Sequence, residues 1–114
     1  MKDALIEARR WWLQRMSAMV LAVCVLAHLA LIVYATRQGI TAEHILGRTR
    51  GSWSFGLFYG TFVVACAVHV PIGLSAIARE WLGWSKKFSW NAARVFGLII
   101  LVMGGRAVVA VIFP

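Results

Sequence analysis

The chain is 114 residues long, 61% hydrophobic and only 14% charged, with a mean hydropathy of +0.79. A soluble domain of this size carries roughly a quarter of its residues as charges, so the composition argues against a water-soluble fold. Twelve Lys and Arg face four acids, a formal +8. They sit in short gaps between apolar runs and do not cover a face, which points to a membrane and away from nucleic acid as the partner.

In chain order, Met1 to Arg10 combines helix formers with mixed charge, and an interfacial helix over residues 1–10 is expected. Three apolar stretches then reach bilayer length, which takes about 20 residues. They cover about residues 13–35, 55–77 and 93–113. Val33-Tyr34-Ala35 loosely resembles a secretory cleavage site, but the run before it is too long and Asp3 and Glu7 stand in the amino terminus, so the first span is expected to be mature structure. The expectation is one all-α integral membrane domain, 1–114, with three transmembrane helices joined by loops at Thr36 to Ser54 and Ala78 to Ala92. Three helices enclose little, so a larger bundle with partner subunits is expected.

Basic residues set the orientation. Lys2, Arg9, Arg10, Arg15, Arg79, Lys86, Lys87 and Arg94 fall on one side against Arg37, Arg48 and Arg50 on the other, which predicts a cytoplasmic amino terminus in the inner (cytoplasmic) membrane. Trp11, Trp12, Trp81, Trp84 and Trp90 would mark the inner headgroup level and Trp53 the outer one. Cys24 and Cys66 lie inside apolar runs and read as small buried hydrophobes. No Cys-x-x-Cys-His occurs, so a haem here would have no thioether links.

Ionisable groups at membrane depth are costly and are functional hypotheses by default. Three stand out: His28, His69 and Arg106. Each His fits either an interhelical hydrogen bond or a metal ligand. His28 lies about 22 Å from the inner end of its span and His69 about 12 Å, at 1.5 Å per residue. Two axial ligands of one iron need nearly equal heights, so the pair suits two haems, one near each leaflet. Each haem then needs a further His from a second copy of the chain or from a sister subunit. Bis-histidine haem carries electrons and leaves no open position for oxygen.

Arg106, twelve residues after Arg94, comes near the height of His28. It fits a haem propionate partner or a side chain snorkelling outward. Pro71, two residues after His69, frees the carbonyl of Ala67 and should bend the helix. Gly56 and Gly60 form a G-x-x-x-G, and Gly104-Gly105 precede Arg106; both fit close helix packing or room for a flat macrocycle. Gln14-Arg15-Met16-Ser17 offers an amide, a cation and a hydroxyl at headgroup level, which suits an interfacial anchor or a quinone headgroup.

Gln14-Arg15-Met16-Ser17-Ala18 resembles the His-Arg-x-Ser-Gly signature of the cytochrome b membrane anchors of succinate dehydrogenase and fumarate reductase. His69-Val70-Pro71-Ile72-Gly73, followed by Glu80, is similar to that family's His-x-x-x-Gly segment with an acid at the inner end of the helix. The resemblance implies that His69 is an axial ligand of haem b, that Arg15 and Ser17, beside Gln14, border a quinone site, and that Gly73 and Gly60 lie near cofactor. It implies further that His28 holds a second haem, two per pair of anchor chains, and that an iron-sulfur subunit and a flavoprotein subunit dock on the cytoplasmic side. The family's signature His and Gly are here Gln14 and Ala18, and Ser75-Ala76 stand where single-haem relatives often have Arg-His.

Two other function classes fit parts of the sequence. A haem-free anchor would use its histidines to bond helices. A small-solute transporter would need a carboxylate inside the membrane, and all four acids lie outside the spans.

Overall fold

A computed structural model describes all 114 residues. Four helices follow in order: α1 Lys2–Gln38, α2 Ala42–Thr49, α3 Trp53–Trp81 and α4 Lys86–Ile112. α1, α3 and α4 are long and apolar enough to cross a membrane, which makes this a multi-pass membrane protein. Helix is the form available to them, because hydrocarbon offers no water to unpaired backbone amides. The three helix starts after α1 are set by hydroxyl caps. Thr41 accepts from the His44 N–H, Ser52 from the Phe55 N–H and Ser85 from the Phe88 N–H, each at 3.3 Å. Gly83, at φ 66°, turns the chain out of α3 so that the Trp84 N–H reaches the Ala78 carbonyl at 3.2 Å.

Two features differ from the sequence expectation. Residues 1–10 are not a separate interfacial helix, since α1 runs unbroken from Lys2. At 37 residues it is about 55 Å long, well beyond the roughly 30 Å of a hydrocarbon core. Its first turns stand up against the start of α4, where Glu7 lies 3.8 Å from Lys86 and the Arg10 guanidinium sits 4.0 Å over the Trp90 ring. These contacts and the strong helix formers keep the helix going past the headgroup level.

The second difference is α2, which occupies a stretch expected to be loop. Thr49 explains its placement: buried, it donates to the Val111 carbonyl at 2.8 Å, and the Gly51 N–H reaches the Ile112 carbonyl at 2.7 Å. Both bonds satisfy carbonyls that the end of α4 leaves free.

α3 is the middle helix and packs against both α1 and α4, more extensively against α4. Small residues line the seams: Ser17 and Cys24 on α1, Ala65, Ser75 and Ala78 on α3, and Ser89, Ala93 and Gly97 on α4 are all buried. In lipid there is no hydrophobic drive to pair helices, so close backbone approach and dispersion must supply it. The tightest fit is at Gly97, where a Cβ would overlap the Pro71 ring and stand 3.2 Å from the Ala67 carbonyl that this proline frees. Gly104 makes the same kind of fit, with Val63 Cγ1 2.7 Å from where a Cβ would be. Only 11 of 114 residues are buried, so the outer faces of all three spans remain for lipid or for other chains.

Gly97→Val should therefore separate α3 from α4 and cost about 1–3 kcal/mol, the usual range for overpacking. Gly60→Ala should cost the isolated chain nothing measurable, because nothing lies within 4 Å of that position. Reversible unfolding in mixed micelles reads both.

Candidate functional site

The two membrane histidines both face the seam between α1 and α3, from opposite helices and at different heights. His69, on α3, places Nδ1 3.3 Å from the Ser17 hydroxyl of α1. That hydroxyl also lies 3.1 Å from the Gln14 carbonyl, and its single hydrogen can go to only one of the two. Given to the carbonyl, it leaves Ser17 as acceptor for an Nδ1–H and leaves Nε2 its lone pair. A histidine that ligates a metal through Nε2 is oriented in this way, with Nδ1–H donated to a fixed acceptor.

His28, on α1, packs edge-on to Tyr59 and Phe62 of α3, with ring centroids 5.8 and 5.7 Å away. Its Nδ1 is buried and has no hydrogen-bond partner. An orphaned polar atom inside a membrane domain calls for a partner or ligand. The ring borders a cavity of about 400 Å³ among all four helices, walled also by Thr49 of α2 and by Tyr59, Phe62, Cys66 and Gly104. That volume is within the range of small-molecule and cofactor sites.

Eleven residues of α1 separate Ser17, the partner of His69, from His28, a rise of about 16 Å. The two imidazoles therefore do not share one iron, in keeping with the height difference read from the sequence. No three His, Cys, Asp or Glu side chains gather anywhere in the chain. A metal held by one imidazole of this chain needs its other ligands from elsewhere, and a porphyrin with a second axial ligand from another chain meets that condition.

The residues expected to border quinone are divided. Gln14 and Arg15 line a cavity of about 360 Å³ at the basic end, together with Glu7, Arg10, Ser75 and Arg79. Ser17 is not among its walls; it is buried and engaged with His69. Ser17 borders instead a shallow apolar recess of about 540 Å³ that Gly60 also lines. Gly73 gives its missing side-chain space to Gln14, whose Nε2 lies 3.1 Å from where a Cβ would stand. Gly60 has open space in front of it.

Arg106 is at the expected height, two residues after the Gly104 that packs on Val63, but it does not line the His28 cavity. It is exposed on the outer side of α4 with Val102 and Val109, while Gly104, Ala107 and Val108 turn to the cavity. A propionate held in that cavity would not meet it within this chain.

Three members of these sites were not singled out from sequence: Tyr59 beside His28, and Ser75 and Arg79 across from Gln14. Helical spacing held the signal for the latter, because Glu7, Arg10 and Gln14 repeat at three to four residues and face Ile72, Ser75 and Arg79 at the same period. Tyr59 carries no such signal, since its role depends on the register of α1 against α3.

The tautomer assignment is open to test by imidazole nitrogen NMR on the apoprotein. His69 should show protonated Nδ1 and a bare Nε2, and Ser17→Ala should yield a tautomer mixture and cost about 0.6 kcal/mol, the average for an interhelical bond in membrane proteins. Compared with known proteins, the chain matches no family model, no curated protein and no solved structure.

Proposed function

We propose that this chain is a haem b-binding, quinone-reactive membrane anchor, passing electrons between a peripheral succinate dehydrogenase or fumarate reductase and the quinone pool of the cytoplasmic membrane. The observation that carries the reading is the His69 imidazole, half-buried at a helix seam with Nδ1 within hydrogen-bond reach of Ser17, an arrangement that suits coordination through Nε2. When bound there, haem b supplies one-electron transfer with no site for oxygen. Ser17 and the Gln14 carbonyl hold the ring and its tautomer. His28 is the candidate ligand for a second centre nearer the other leaflet, its orphaned nitrogen being the supporting fact.

Gln14 and Arg15 remain the quinone candidates, one amide and one cation at the basic end beside the recess. That end, with its eight Lys and Arg, is the cytoplasmic one in this reading, and the iron-sulfur and flavoprotein subunits dock there. Arg106 bears on the choice between a second copy and a sister anchor chain. All four acids lie outside the three expected spans, so a second copy meeting the outer face of α4 would set Arg106 against Arg106. A sister chain offering an acceptor at that depth avoids the repulsion.

A second reading is supported by the same Ser17–His69 contact, which joins α1 to α3 with no cofactor at all. Reduced-minus-oxidised absorbance of the purified complex separates the two. The haem reading expects a b-type band after dithionite, lost in His69→Ala while the chain still inserts; no band in the wild type leaves the structural anchor. His28→Ala should remove half of the haem per complex if there are two centres and none if His28 serves only packing.

A further inference from the structure

At the basic end, between α1 and α3, lies the most polar of the chain's larger cavities, about 360 Å³ in volume. Three arginines line it, Arg10 and Arg15 from α1 and Arg79 from α3, together with Gln14, whose buried Oε1 has no hydrogen-bond partner. The one carboxylate there, Glu7, is 3.8 Å from Lys86 and is the only acid in the chain engaged in an ion pair, so none of the three arginines has a carboxylate partner. The Nε of Arg79 is buried with no hydrogen-bond partner. An uncompensated guanidinium donor is costly to bury and calls for an oxyanion.

Two of the cations are held ready. The Arg10 guanidinium lies 4.0 Å over the Trp90 ring and that of Arg15 lies 4.9 Å from the Trp11 ring. Stacking engages the flat faces and leaves the N–H edges to hydrogen-bond. Ser75, on α3 opposite α1, adds a buried hydroxyl to the same wall.

The floor of the cavity decides between possible oxyanions. Ile72 closes it, and Ile72 is also part of an apolar groove along α3 and α4 that continues past Pro71 to Leu98 and Leu101. Charge at the tryptophan level followed by a greasy channel towards mid-membrane is the profile of a lipid, and basic pockets between transmembrane helices recognise anionic headgroups. We propose that Arg10, Arg15 and Arg79, with Ser75, seat the phosphate of an anionic phospholipid whose acyl chain lies over Ile72 in the groove between α3 and α4. This site is independent of the haem reading, and it competes with the quinone reading for Arg15 and for this cavity.

The test uses the full chain in nanodiscs of phosphatidylcholine, with and without phosphatidylglycerol, read by native mass spectrometry and by the thermal midpoint. The wild type should retain one phosphatidylglycerol and melt higher when it is present. Arg79→Gln and Arg10→Gln should lower retention about tenfold, the loss of one charge-assisted bond, Arg79→Lys should keep part of it, and Arg50→Gln, at the opposite end, should change nothing. If Arg79→Gln fails to insert, Arg10→Gln and Arg79→Lys decide. Equal retention of phosphatidylcholine, or retention unaffected by these substitutions, overturns the proposal. So does inorganic phosphate that reproduces the thermal shift in phosphatidylcholine alone, which makes the seat one for a free oxyanion. Loss of a haem band in Arg79→Gln with phosphatidylglycerol still bound likewise overturns it and assigns the cations to a propionate.

Discussion

Inside hydrocarbon a polar side chain has only the neighbouring helices to hydrogen-bond, and the arrangement of this chain follows from how each such group is met. The backbone is satisfied within the helices. Ser17 and His69 meet across the seam of α1 and α3, with the Gln14 carbonyl also within reach of the hydroxyl. Thr49 spends its hydroxyl hydrogen on the Val111 carbonyl and pins α2 beneath the end of α4. Where small residues permit it, α4 closes on α3, and the carbonyl freed by Pro71 is covered by Gly97. Each of these contacts fixes the register of one helix against another, and register decides which side chains can meet.

The spans were legible because hydrophobicity at bilayer length needs no tertiary context. So was the height difference between His28 and His69, which is a matter of counting residues along rods of known rise. What helix rise does not give is rotation between rods. Arg106 was placed at the right height, yet its azimuth turns it outward from α4, and only the Gly104–Val63 contact fixes that angle. Ser17, Gln14 and Arg15 group by sequence as one headgroup-level set, and on a helix Gln14 and Ser17 are neighbours while Arg15 lies about 100° from Gln14. Ser17 faces His69, while Gln14 and Arg15 face Arg79.

The amino-terminal ten residues show a different limit. Their mixed charge fits a helix lying on a surface or one continuing out of the bilayer, and composition is the same in both. The distinction rests on what the projecting turns touch, here Lys86 and Trp90 at the start of α4. α2 escaped the sequence reading for a related reason, because eight residues with only Ile45 and Leu46 as large apolar side chains give no span signal, and its place is set by the α4 carbonyls that Thr49 and Gly51 reach.

The groups that remain unmet share a pattern. His28 Nδ1, Gln14 Oε1, Arg79 Nε and Ser89 Oγ are buried without a hydrogen-bond partner, Gly60 opens on empty space, and Arg106 presents a charge outward from the bundle. A single such feature could be an accident of packing. Several of them, spread over all three spans, leave polar capacity that the packing of this chain does not use. The three spans form a row with one central helix and two flanks, so the His28 cavity is walled by this chain while the outer faces of the helices stay uncovered. Symmetry bears on these groups face by face, because a twofold copy returns a side chain to its own kind only where the axis passes. The histidines face the seam of α1 and α3 while Arg106 stands on the outer side of α4, so a copy on the histidine side leaves one Arg106 far from the other, and only a copy on the outer face of α4 would set guanidinium against guanidinium in hydrocarbon.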